Sequence, residues 1–284
     1  MEKDLIIGGF TNYNYNQLKP WVESIIETGF KGDKVLVYGN TTKETLDELH
    51  KREFITVPML QLQAPIHVAR FLSIYDYLKD THEDYRYVVT TDVKDVYFQK
   101  DPTKWLKDNL SFGGHMLVAG SEGMLYKDEP WGNENLNHAY GPYVYELFKN
   151  NEIYNVGTIG GTAEYVKDLV FNIVTNAINR PIPIVDQAVY NVLLNTQPYK
   201  DVTFFAKQKD AWACQAGTTV DPSKINQFRP LLTEKEPIFK DGLVLTCDGE
   251  PFTIVHQYDR VPEWKKFINE KYGVEDLIVI NTGV

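Results

Sequence analysis

Short β-branched runs alternate with segments of helical period through the first third of the chain, and few architectures accept that alternation. Leu5-Ile6-Ile7 reads as a buried strand closed by Gly8-Gly9, followed by a polar loop from Thr11 to Asn16. Gln17 to Glu27 then sets Leu18, Trp21, Val22, Ile25 and Ile26 at helical spacing. Lys34 to Tyr38 is a second strand, Thr41 or Thr42 can cap a helix carrying Leu46 and Leu49, and Phe54 to Val57 is a third strand. Pro65 suits the first turn of a helix through Val68, Phe71, Leu72, Tyr75 and Leu78, and Arg86 to Thr91 is a fourth strand. Strands separated by long helices pair side by side in parallel, so the pattern predicts an α/β fold. Its central sheet should be mixed and mainly parallel, flanked by helices.

Beyond Asp95 the pattern loosens. Asp101-Pro102 has the character of an N-cap and first helical residue, leading through Trp105 and Leu106, and Met116 to Ala119 is strand-like. Gly120 to Asn137 is polar and contains glycine, with Trp131 in its middle, and reads as a long functional loop. Asn137 to Asn150, Ala163 to Asn179 and Val185 to Leu194 read as helices, Phe252 to His256 as a late strand, and Pro262 to Tyr272 as a last helix. No internal repeat, low-complexity tract or linker rich in Pro, Gly or Ser interrupts residues 1–284, which read as one domain.

At 43% hydrophobic and 24% charged residues the chain can bury a sizeable core. Its apolar runs, such as Val35 to Val37 and Leu243 to Leu245, fall far short of the ~20 residues that span a bilayer. Met1-Glu2-Lys3-Asp4 carries no basic segment followed by an apolar stretch, so a secretory signal is not expected, and a soluble, cytoplasmic protein is. Cys214 and Cys247 belong to no metal-type pair and read as small buried hydrophobes. A formal net charge of −10 without a basic stripe argues against nucleic acid as a partner.

The most informative segment is Tyr87-Val-Val-Thr-Thr-Asp92-Val-Lys-Asp95, in which a β-branched run leads into two carboxylates at the strand's C-terminal end. In open α/β sheets that edge is where ligands bind, and paired carboxylates suit hard cations such as Mg²⁺ or Mn²⁺. Side chains three apart on a strand face opposite ways, so Asp92 and Asp95 can share one ion only if the backbone turns after Thr91. Both could instead be loop acids that cap or solvate.

Each further motif has a functional reading and an ordinary structural one. The glycines of Asn155-Val-Gly-Thr-Ile-Gly160-Gly161 allow close ligand approach, or simply a turn between strand and helix. Gly8-Gly9-Phe lacks the G-x-G-x-x-G of a dinucleotide site. Asp186-Gln187 can contact sugar hydroxyls, or Asp186 can cap the helix that follows. His256 at a strand end can be a third metal ligand or a core histidine, and Arg260 beyond it could reach phosphate. Arg70 lies in an otherwise apolar helix and can brace Asp92 or a donor, or stay on the surface.

Taken together in this order, these elements resemble the GT-A glycosyltransferases, especially the glycogenin and bacterial galactosyltransferase type and related bacterial or viral enzymes. The resemblance covers most of the chain. It implies a nucleotide diphosphate sugar donor and a carbohydrate acceptor. Asp92, Asp95 and His256 would hold Mn²⁺ or Mg²⁺ against the diphosphate. Thr11 to Tyr15 would form the base-binding loop, with Thr11 and Asn12 in it and Tyr13 along the nucleobase, while Asn155, the Gly160-Gly161 turn, Asp186 and Gln187 would face sugar and acceptor. Asp-Val-Lys-Asp departs from the family's Asp-x-Asp by one residue, and His256-Gln-Tyr-Asp-Arg260 departs from its late glycine and lysine.

The reaction expected is metal-assisted transfer to an acceptor hydroxyl, with Arg70 and Arg260 as cationic support. An inverting course needs a carboxylate base, for which Asp186 is the first candidate and Glu122 the second; the resemblance leans towards retention. Two rivals are a sugar-phosphate nucleotidylyltransferase, whose basic loop after the first strand is missing from Gly8-Gly9-Phe-Thr-Asn-Tyr13, and a non-catalytic sugar-binding protein.

Overall fold

In a computed structural model, which describes residues 3–111, 113–180 and 182–275, the chain forms a seven-stranded mixed sheet flanked by helices. Met1 and Glu2 of the N-terminal reading lie outside the described residues. The first half runs β1 (Lys3–Phe10), α1 (Tyr15–Glu27), β2 (Asp33–Tyr38), α2 (Lys43–Lys51), β3 (Ile55–Pro58), α3 (Ile66–Thr81), β4 (Tyr85–Thr91), β5 (Val96–Phe98) and α4 (Pro102–Leu110). It continues with β6 (Leu117–Leu125), α5 (Pro130–Phe148), β7 (Glu152–Thr162), α6 (Ala163–Ala177), α7 (Asp186–Leu194), β8 (Thr203–Ala206) and β9 (Ala213–Gln215). β10 (Ile238–Lys240), β11 (Leu243–Leu245), β12 (Ile254–His256) and α8 (Pro262–Tyr272) close it.

The sheet order is β3-β2-β1-β4-β7-β6-β8, and only β7 runs against its neighbours. A small second sheet, β5-β12-β9, stands beyond the end of β4, and β10 and β11 form a separate hairpin. The strands of the large sheet are apolar on both faces because both are covered. Leu5, Ile7, Val35, Val37 and Val88 pack towards α3, α6 and α7, while Ile6, Leu36 and Val89 pack towards Trp21 and Val22 of α1, Leu49 of α2 and Leu106 of α4. Alternation along each strand divides one run of residues between two cores. Among the described residues, no helix is long and apolar enough to cross a membrane.

Helix starts follow local chemistry. Thr42 accepts a bond from the Thr45 amide at the head of α2, and Asp101 accepts one from Thr103 ahead of Pro102. Pro65 sits one residue earlier than expected, at the cap of α3 rather than within its first turn.

Three expectations are corrected. Gly120 to Asn137 is not a long loop: β6 continues to Leu125 and α5 starts at Pro130. The polar residues are held inside the sheet region, Ser121 by Glu152 at 2.7 Å, and a bulge at Gly123 (φ +68°) lets the strand bend. The Asn155–Gly161 stretch is not a turn but the middle of the eleven-residue β7. Gly160 and Gly161 are there for packing, since a Cβ at Gly160 would lie 2.8 Å from the Trp212 ring and one at Gly161 would meet the Leu117 side chain at 2.9 Å. Cys214 is buried as expected, whereas Cys247 is exposed in the polar turn after β11.

Candidate metal centre

The centre of interest begins where β4 stops. After Thr91 the chain leaves the sheet and turns through Asp92-Val93-Lys94-Asp95 before entering β5. Val93 is the inward anchor of this turn, 3% exposed and packed where Gly8 leaves room; a Cβ on Gly8 would come within 2.6 Å of the Val93 methyl. Lys94 is exposed. With the apolar residue pointing in and the lysine out, the two carboxylates come round to the same side. Two backbone bonds fix them there: the Asp92 amide donates to the Gly157 carbonyl at 3.0 Å, and the Gln257 amide donates to the Asp95 carbonyl at 2.7 Å.

The second bond brings His256, the last residue of β12, over the turn. His256 Nε2 lies 3.4 Å from Asp92 Oδ2 and 3.7 Å from Asp95 Oδ1. One ligand atom from each of the three residues can be chosen so that all lie within 4.8 Å of one another. On the far side of the ring, Nδ1 is 2.7 Å from Gln215 Oε1, and Gln215 Nε2 donates to Thr158 Oγ1 at 2.9 Å. With its amide nitrogen committed to Thr158, Gln215 offers His256 only an acceptor. Nδ1 therefore carries the ring proton, and the Nε2 lone pair faces the two carboxylates. Burial lowers the affinity of His256 for a second proton.

A neutral imidazole lone pair aimed at two carboxylates makes no hydrogen bond with them. Two oxygens and one nitrogen converging this way do fit a divalent cation. The backbone leaves space as well: a Cβ on Gly157 would lie 2.8 Å from His256 Cε1 and 2.9 Å from Asp92 Oδ2.

The other oxygen of Asp92, Oδ1, is bound by Arg70 Nη1. Arg70 Nη2 reaches Asp186 Oδ2 at 3.4 Å, and both the guanidinium and Asp186 are buried. Asp186 is the first residue of α7, behind the cap residue Val185, so it does not cap the helix. Burial pushes its carboxyl up, against the pull of Arg70.

These residues line a cavity of about 630 Å³ at the C-terminal ends of the parallel strands. Thr11, Tyr13, Arg70, Asp92, Asp95, Asn155, Asp186, Gln187, His256 and Arg260 from the sequence reading all border it, as does Glu122. Asn12, Gly160 and Gly161 are not on its wall: Asn12 pairs with Asn40, and the two glycines lie within the sheet. Seven carboxylates (Asp92, Asp95, Glu122, Glu129, Asp186, Asp221 and Asp259) and four basic side chains (Arg70, Lys94, Lys224 and Arg260) surround the space, so an anionic ligand needs an additional cation there.

Sequence reasoning missed Gln215, Glu129 and Lys224. Gln215 gave no signal, because nothing in Ala213-Cys214-Gln215 separates an orienting amide from any strand-end glutamine. No protein-family model matches the chain, and its sequence matches no curated protein.

Proposed function

We propose that this chain is a metal-dependent glycosyltransferase of the GT-A type, moving a sugar from a nucleotide diphosphate sugar to a hydroxyl of a carbohydrate acceptor. The observation that carries the reading is the convergence of Asp92, Asp95 and the Nε2 lone pair of His256 on the wall of an acid-rich cavity at the sheet's C-terminal edge. Mn²⁺ or Mg²⁺ suits this donor set, and when bound it supplies a Lewis acid that offsets the negative charge gathering on the diphosphate leaving group.

The chain's own residues have separable tasks. Asp92 and Asp95 bring the negative charge that attracts the cation, and Gln215 keeps His256 in the ligating tautomer. Arg70 holds the second oxygen of Asp92, so that carboxylate is fixed before any ligand arrives. Tyr13 and Thr11 offer a ring and a polar edge to a nucleobase, and Lys94, with its ammonium 5.8 Å from the Tyr13 ring centre, stands beside them. Arg260 and Lys224 add positive charge at the rim for phosphates. On the acidic side, Asn155, Gln187 and the half-exposed Trp131 ring present the amides and the apolar face that pyranose rings bind.

A thermal-shift screen of nucleoside diphosphates, each with and without Mn²⁺, tests the reading. Stabilisation by a nucleoside diphosphate only when metal is present is the expected result. Stabilisation by free sugars alone, indifferent to metal and nucleotide, would replace it with a non-catalytic sugar-binding role.

A further inference from the structure

Of the two carboxylates that could act on an acceptor, Asp186 is already engaged. Its carboxylate is buried against Arg70, which also holds Asp92. Glu122 is arranged differently. It sits in β6, 5% exposed, on the cavity wall. Both of its side-chain hydrogen bonds fall on one oxygen: Asn155 Nδ2 donates to Oε1 at 2.7 Å and Gln187 Nε2 donates to the same atom at 3.0 Å. Among the described residues nothing donates to Oε2. The Asn155 amide that pins Glu122 accepts from the Gly157 amide at 2.7 Å, beside the metal ligands, so one amide group separates Glu122 from the metal centre.

We propose that Glu122 is the base that takes the acceptor hydroxyl proton, and that the sugar is consequently transferred with inversion at its anomeric carbon. This rests on the glycosyl-transfer reading above. The acceptor O–H proton passes to Glu122 Oε2 as the acceptor oxygen bonds to the anomeric carbon. The bond from that carbon to the diphosphate oxygen breaks, and the leaving diphosphate keeps the electron pair. Glu122 then releases its proton to solvent when the product departs. A base must have a free lone pair and little competing solvation, and Oε2 has both.

Burial, reinforced by Glu129, raises the Glu122 carboxyl to about 7, while the Asn155 and Gln187 amides and His256 oppose the rise. Tyr126 also faces it and stays neutral, its own hydroxyl pushed up by burial. A group titrating near neutrality is matched to proton transfer there.

The test uses the full chain with whichever nucleotide sugar it cleaves. Proton NMR of the product reports the anomeric configuration without any variant, and inversion is expected. E122Q should lower kcat by about 10²–10⁴-fold, keep the donor KM and the Mn²⁺-dependent thermal shift, and lose the rise of kcat/KM through about pH 7. Retained configuration overturns the proposal. So does a variant with near-normal kcat and a raised donor KM, which would make Glu122 a sugar contact. Failure of the wild-type protein to cleave any nucleotide sugar overturns the glycosyl-transfer reading itself, and this one with it.

Discussion

Gln215 and His256 form a fixed donor–acceptor pair at 2.7 Å, in which the amide of one decides the tautomer of the other. Both side chains are buried, and the pair is tied through Thr158 to β7 of the central sheet. Gln215 thus positions a metal ligand without touching the cavity. We predict that Q215L weakens Mn²⁺ binding about 10–100-fold, the usual cost of losing an orienting partner. Q215E should restore most of that affinity, because a carboxylate accepts the same proton. Titration calorimetry with Mn²⁺ decides, and unchanged affinity in Q215L would remove Gln215 from this role.

The turn after Thr91 settles a question that strand geometry alone left open. Because both carboxylates face His256, D92N and D95N should raise the Mn²⁺ requirement to a similar degree. D95A should cost about 10²–10³ in metal-dependent turnover, equivalent to about 3–4 kcal/mol of lost charge stabilisation. The fold should survive, since Asp95 contributes nothing to the apolar cores. A defect confined to D95N would show that Asp92 serves Arg70 rather than the ion.

Arg70 is buried between two carboxylates, so removing it strands both. R70M should destabilise the protein by about 3–5 kcal/mol, the penalty for leaving buried charge uncompensated. The double variant R70M/D186N should recover part of that loss. Denaturant titrations of the two proteins give the comparison, and an R70M protein of wild-type stability would contradict the bridge.

Glu122 links stability to pH. Its folded value, about 7, lies above that of an ordinary glutamate, so the fold favours the protonated form. The stabilisation is complete below the unfolded value of about 4.3 and disappears as pH rises through about 7. In EDTA the wild-type protein should therefore lose on the order of 2–4 kcal/mol between pH 5 and pH 8 from this group. E122Q should show a correspondingly flatter profile. Equal pH slopes for the two proteins would contradict the assignment.

Much of this was legible from residue order, for physical reasons that vary by region. Strands and helices up to Thr91 announce themselves because each apolar period belongs to an element long enough to repeat it. Asp92, Asp95 and His256 were readable because carboxylates at a strand's end and a histidine at another's have few other uses in concert. The Ser121–Gly123 segment misled because polar residues and glycine ordinarily mark loops, whereas here Glu152 and the bulge at Gly123 let them lie in a strand. Gly160 and Gly161 misled for the complementary reason, being small to admit the Trp212 ring and the Met116–Leu117 backbone rather than a ligand. The β5-β12-β9 sheet was only partly foreseen, since three-residue strands carry no period and exist through tertiary pairing.

The most direct test of the central claim is release of nucleoside diphosphate from a panel of nucleotide sugars, measured with Mn²⁺, with EDTA, and with D95A in place of the wild-type protein. Release from at least one donor with Mn²⁺, abolished by EDTA and reduced about 10²–10³-fold in D95A, is the expected result. Release that persists equally in EDTA and in D95A, or none from any donor despite bound Mn²⁺, would contradict it.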